Sequence, residues 1–247
     1  MPFDAIICDW NGTLILYRDE RPLLETVAVQ IFKSSVPFHP FRMLRILQTR
    51  KKLETLYSEA RLDADFDFVR AMFSVYNEKI IKGTSVSVIR HSIENYASHS
   101  GTQRALDFRI LRTIQTFHQE GTVSGILSAG YGYGIERVLT VAGFYRYFDF
   151  CKADYLKEAN GRAVGFSLDI YKRKHEVLAE LLNERKLDAS RVVYIGDSED
   201  DEGCFQIVGH PVLAFLAPDW LKGKYAREYS AFVPHDEEDL VNHLRCI

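Results

Sequence analysis

The chain is poor in the features that define several large protein classes. It has four cysteines, Cys8, Cys151, Cys204 and Cys246, too far apart for metal-ligand spacing or a disulfide framework, so they read as free thiols in a reducing compartment. Its eight histidines show neither HxH nor HExxH spacing, which argues against a zinc site. The formal charge of −3 is spread over both signs, leaving no basic surface for nucleic acid and no polybasic membrane patch. No apolar run is long enough to cross a bilayer, and no positively charged leader precedes the first strand, so the expected location is cytoplasmic. There is no internal repeat and no low-complexity run. With 47% hydrophobic and 26% charged residues over 247 positions, the composition is that of a globular protein with a sizeable core.

The first informative stretch is the apolar run Ala5-Ile6-Ile7-Cys8 followed by Asp9-Trp10-Asn11-Gly12-Thr13-Leu14. A short, wholly apolar strand suits the centre of a parallel sheet, where ligands bind outside the strands' carboxyl ends. Asp9 would stand there, Gly12 would make the tight turn, and Thr13 would offer a hydroxyl and an amide to a phosphate oxygen. A second apolar strand, Gly125-Ile126-Leu127, ends in Ser128, and Ala129-Gly130-Tyr131-Gly132 opens a helix in a way that suits an anion. A third, Arg191-Val192-Val193-Tyr194-Ile195, runs into Gly196-Asp197-Ser198-Glu199-Asp200-Asp201, whose carboxylates suit a hard cation. Lys174 opens the preceding helix, 23 positions before Asp197, and can return to the same sheet edge.

These four segments, in this order, resemble the motifs of the haloacid dehalogenase superfamily of phosphohydrolases, and are most similar to its phosphoserine phosphatase branch. The resemblance implies a Rossmann-like open parallel α/β sheet with helices on both faces and an inserted α-helical cap. It further implies that Asp9 attacks phosphorus and becomes an aspartyl-phosphate. Mg²⁺ would be held by Asp9, Asp197 and the main-chain carbonyl of Asn11, with Asp201 orienting a metal-bound water. Ser128, Thr13, Ala129 and the amides near Gly12 and Gly130 would meet the phosphoryl oxygens, and Lys174 would neutralise nucleophile and phosphate. Loss of Lys174 should therefore affect rate more than fold. Asn11 departs from the pattern: phosphatases of the superfamily usually carry there a second Asp that serves as general acid and base, and an amide can do neither. The expected activity is hydrolysis of a small phosphorylated metabolite, favouring good leaving groups, with no nucleic-acid or membrane partner. The alternatives are phosphonate or haloacid chemistry, and a phosphometabolite-binding protein with little turnover. Asn11→Asp should raise activity if the missing acid limits it.

The remaining pattern places a sheet-forming core at residues 1–16 and 120–247 and a helical cap at 17–119. Helices are expected from Pro22 onward and over 39–61, 66–81, 86–97 and 104–119. Beyond them come strands near 123–127, 192–195, 212–216 and 231–233, alternating with helices near 133–142, 170–186, 200–208 and 219–226. Segments 150–155 and 163–168 suggest a hairpin across Asn160-Gly161. Arg42, Arg45, Arg50, Lys51, Lys52 and Arg61 read as a solvated helix face before a substrate site. Tyr131 and its aromatic neighbours Tyr133, Phe144, Tyr145, Tyr147 and Phe148 read as packing residues.

Overall fold

Seven stretches pair as strands among the described residues: β1 (Ala5–Cys8), β2 (Val123–Tyr131), β3 (Phe150–Asp154), β4 (Leu156–Ala159), β5 (Arg162–Phe166), β6 (Val192–Gly196) and β7 (His210–Leu213). The computed structural model describes residues 3–35, 49, 51–52, 55–56 and 67–247. Five strands form one parallel sheet in the order β3-β2-β1-β6-β7, so the chain reverses direction of sheet growth at β1. This is the doubly wound arrangement, and its switch point lies between β1 and β6. All four residues of β1 are buried, which is why the strand reads as an unbroken apolar run. On one face Ala5, Ile7, Val192 and Tyr194 share a core with Leu178 and Leu181 of the helix Lys174–Arg185 and with Cys204 and Phe205 of the helix Glu202–Ile207.

The chain divides into two compact units, one of Met1–Glu20, Ser98–Asp154 and Asp169–Ile247, the other of Arg21–Ala97 and Tyr155–Leu168. These limits differ from the expected 17–119 insert at both ends. Residues 98–119 belong with the sheet because the backbone around Leu106 is tied to the turn after β1: Leu16 N donates to Ala105 O at 2.7 Å and Asp107 N to Leu14 O at 3.0 Å. Phe117 also packs its ring on Phe3, with centroids 5.4 Å apart. The expected helix over 104–119 is accordingly two, Ser100–Arg104 and Phe108–Gln119, the second capped by Asp107, whose Oδ1 accepts from Arg109 N at 3.0 Å.

Residues 155–168 join the helical unit through paired hydrogen bonds. Asn77 Nδ2 donates to Phe166 O at 3.0 Å and Asn77 Oδ1 accepts from Phe166 N at 2.8 Å, so the amide acts as one more strand partner for β5. Ala163 N donates to Thr84 O and Gly83 N to Ala163 O, both at 2.8 Å. The helix expected over 66–81 therefore runs as Phe68–Tyr76 and widens at Asn77–Ile81 into a π turn, closed by Lys82 N donating to Asn77 O at 2.9 Å. The hairpin is β4 with β5 around Asn160-Gly161, while Phe150–Asp154 is instead an edge strand of the large sheet. The first helix, Arg21–Ser35, and the helix Val86–Ser98 lie where expected. Most of the expected 39–61 helix lies outside the described residues, including Arg42, Arg45, Arg50 and Arg61; Lys51 and Lys52 are helical and exposed.

Residues 231–233 do not form a full strand. Phe232 makes an isolated bridge to Val212, and the next donor but one is lost at Pro234, which has no N–H to extend a ladder. A C-terminal helix, Glu237–Cys246, was not anticipated, although Asp236 caps it and Glu237, Glu238 and Asp239 fill its first turn. Among the described residues no helix is long and apolar enough to cross a membrane.

Candidate active site

Strand register brings the separated motifs together. Cys8 is level with Ile126 on β2 and Ile195 on β6, so Asp9 leaves the sheet beside Leu127 and Gly196, one residue before Ser128 and Asp197. Asp9 N donates to Ile195 O at 2.9 Å, fixing the start of the loop against β6. One ligand-capable oxygen from each of Asp9, Asp197 and Asp201 falls within 4.8 Å of the others, and all three residues are buried. Lys174, the first residue of its helix, reaches the same point: Nζ lies 2.8 Å from Asp201 Oδ1 and 3.2 Å from Asp9 Oδ1, with 5% of the residue exposed.

Asp201 has both oxygens in use. Oδ1 accepts from Lys174 Nζ and from the Tyr194 hydroxyl at 2.8 Å each, and Oδ2 accepts from Asp197 N at 3.0 Å, Ser198 N at 3.2 Å and Ser198 Oγ at 3.1 Å. These bonds shape the Asp197 loop and aim the lysine. Of the other acids in the cluster, Glu199 and Asp200 are exposed, while Glu202 accepts from Lys224, Tyr225 and Tyr229.

Among the buried groups three carboxylates face one lysine, and Arg18 adds a weaker opposing charge on Asp197. Burial pushes the Asp9 carboxyl up, Lys174 opposes that, Asp201 adds to it, and hydrogen bonds from Trp10 and Ser128 favour the ionised form. Burial and then the charges of Asp9 and Asp201 push Asp197 up to about 8. Burial alone would lower Lys174, but Asp201 and Asp9 together hold it above its ordinary value. Asp9 Oδ1 is buried without an aligned hydrogen bond despite its ion pair with Lys174, and Thr13 Oγ1 is buried without a hydrogen-bond partner. Hard oxygens crowded in this way fit a small divalent cation, which would supply the positive charge that one lysine cannot.

Gly12 adopts φ +73°, and a Cβ built there would overlap the Asp197 carboxylate, so the turn needs glycine for both conformation and space. Its amide is not free for a phosphate: Gly12 N donates to Ile15 O and Tyr17 O, both at 2.8 Å. Thr13 N donates to Trp10 O at 3.3 Å, and Gly130 N donates to Ser128 Oγ at 3.1 Å. The amide cradle expected near Gly12 and Gly130 is therefore committed to holding the loops in shape. Ser128 is buried beside Asp9, and Ala129 is half-buried on β2.

Sequence reasoning missed Glu20. This buried carboxylate accepts from Asn11 Nδ2 and from Tyr131 N, both at 3.2 Å, joining the loop after β1 to the end of β2. Burial above all pushes it up to about 7, with the bonds from Asn11 and Tyr131 opposing. No spacing rule links positions 11, 20 and 131.

A doubly wound parallel sheet with carboxylates and a buried lysine at its switch point makes this an α/β protein with a charged site at the strands' carboxyl ends. Residues 6–206 match the family model of haloacid dehalogenase-like hydrolases, and the chain belongs to that family. A substrate-bound phosphoserine phosphatase is 17% identical over 100% of this chain and 99% of its own, with TM-score 0.61. Cytosolic 5′-nucleotidase IIIB bound to cytidine is 16% identical over 99% of this chain and 86% of its own, with TM-score 0.62. A protein of unknown function from Bordetella pertussis Tohama I is 13% identical over 94% and 99%, with TM-score 0.66. No curated protein matches.

Proposed function

We propose that the protein is a Mg²⁺-dependent phosphatase that hydrolyses a small phosphomonoester through an aspartyl-phosphate on Asp9. The observation that carries this reading is the buried group of Asp9, Asp197, Asp201 and Lys174 at the switch point, with one cation against three carboxylates. The similar phosphoserine phosphatase and 5′-nucleotidase structures support phosphomonoester chemistry on this fold.

An Asp9 oxygen attacks phosphorus, the bond to the leaving oxygen breaks with its electron pair, and the leaving group departs as a phenolate or carboxylate that needs no proton from the protein. Water then cleaves the acyl phosphate, releasing inorganic phosphate and restoring Asp9. Lys174 keeps the nucleophile ionised and meets the incoming negative charge. Asp9, Asp197 and the Asn11 carbonyl would hold Mg²⁺, which would offset the charge of the transferring phosphoryl group. Asp201 acts by positioning, since its oxygens are already occupied. The Asn11 side chain supplies no proton, so acyl phosphates and aryl phosphates, which leave without one, are the favoured substrates. The unit of Arg21–Ala97 and Tyr155–Leu168 is the proposed substrate-selecting module.

The test is hydrolysis of an aryl phosphate with and without Mg²⁺, by wild type and Asp9→Asn. Turnover that needs both the metal and Asp9 is expected. Metal binding with no hydrolysis would replace this reading by that of a phosphometabolite-binding protein.

A further inference from the structure

Glu20 joins the loop after β1 to the end of β2, yet the mechanism above does not use it. We propose that Glu20 is a positioning residue that fixes the Asn11 carboxamide and ties it to the Ser128 loop, so that Asn11 and Glu20 operate as one unit. The structural part of this stands alone; its catalytic consequence rests on the phosphatase reading.

Three observations carry it. First, Glu20 is 8% exposed and its Oε1 accepts from both Asn11 Nδ2 and Tyr131 N. Second, a Cβ at Gly130 would overlap Glu20 Oε1, so glycine at that position is what admits the carboxylate. Third, the Asn11 amide nitrogen is directed at Glu20 Oε1, which leaves Asn11 Oδ1 for any other partner. Asn11 is thereby set as an acceptor, able to orient a water or an alcohol hydroxyl without exchanging a proton with it. An Asp at position 11 would instead set a second carboxylate against Glu20, where the two repel when both are ionised. Simple restoration of the family's usual Asp is therefore opposed by this chain's own Glu20.

Wild type, Asn11→Asp, Glu20→Gln and the double variant form a cycle that tests the pair. In metal-free thermal unfolding at mildly alkaline pH, Asn11→Asp is expected to lower Tm by about 4 °C or more, and adding Glu20→Gln to return at least about half of that loss. In ¹H–¹⁵N spectra the Asn11 carboxamide signal, assigned by its disappearance in Asn11→Asp, should move in Glu20→Gln. With an aryl phosphate, Glu20→Gln should lower kcat by about tenfold with KM little changed, and the double variant should exceed Asn11→Asp by about tenfold or more. Additive Tm shifts with an unmoved carboxamide signal would overturn the proposal, as would a loss confined to KM. If wild type hydrolyses nothing while the Tm coupling and the spectral shift persist, the phosphatase reading fails and the Asn11–Glu20 unit stands.

Discussion

Replacing Lys174 by Met removes a charge while keeping an unbranched apolar stem of similar length, so it isolates what the ammonium does. The four buried groups Asp9, Asp197, Asp201 and Lys174 carry a formal −2 when ionised, and the variant leaves −3. At an effective dielectric of about 20, a contact of roughly 3 Å corresponds to about 5 kcal/mol of attraction, much of it offset by desolvation. Breaking a buried pair from one side typically costs about 3–5 kcal/mol, because the abandoned carboxylates stay buried. At roughly 2–4 °C per kcal/mol for a chain of this size, Tm should fall by about 6–20 °C in metal-free circular-dichroism melts. The expectation that loss of Lys174 affects rate more than fold is tested by the same melts set beside kcat for the variant. Lys174→Met with Asp201→Asn removes the carboxylate in closest contact and should recover part of the loss, which keeps the test usable even if the single variant fails to fold. A single variant melting within about 2 °C of wild type would refute the account of Lys174 as the counter-charge of the cluster.

Asp9→Asn should reduce hydrolysis by about a thousandfold or more without lowering metal-free Tm, since it relieves a crowded carboxylate cluster; retained turnover would remove Asp9 as nucleophile. Mg²⁺ should raise the Tm of wild type, by an amount equivalent to about 2.7 kcal/mol at a hundredfold excess over Kd, and calorimetric melts should show the rise lost in Asp197→Asn. Gly12→Ala must place a side chain at φ +73° and against the Asp197 carboxylate, so it should destabilise by about 1–3 kcal/mol in denaturant melts and blunt the Mg²⁺ response. Away from the site, burial and then His210 hold His243 below its ordinary 6.5, with Asp239 opposing. Its neutral form is thus favoured in the fold, and that stability is present above about 6.5 and lost as pH falls below it. His243→Gln should flatten the acid side of a stability-versus-pH curve, and an unchanged curve would show that another group governs it.

The parallel sheet was legible because its strands are buried on both faces and so announce themselves as short apolar runs: Ala5–Cys8 and Val192–Gly196 needed no tertiary information. Asp9 and Asp197 were legible because each sits immediately after such a run. What the sequence could not convey was the partner of each group. The amides of Gly12 and Gly130 look available in one dimension, yet Ile15, Tyr17 and Ser128 take them. Asn77 looks like an ordinary helix residue until Phe166, 89 positions away, is seen on both sides of its amide. That pairing moves 155–168 from one unit to the other, and no local propensity encodes it.

The same reasoning bears on why position 11 carries an amide. Asp9, Glu20, Asp197 and Asp201 are already buried acids, and Asp9 contributes to raising both Glu20 and Asp197. A fifth carboxylate at position 11 would lie within hydrogen-bond range of Glu20, where like charges repel. An amide has nearly the same shape, donates one N–H to Glu20 and keeps an oxygen for a further partner. Position 11 is coupled to a carboxylate that joins the loop after β1 to the end of β2. Any search for this protein's substrate should therefore begin with leaving groups that need no proton.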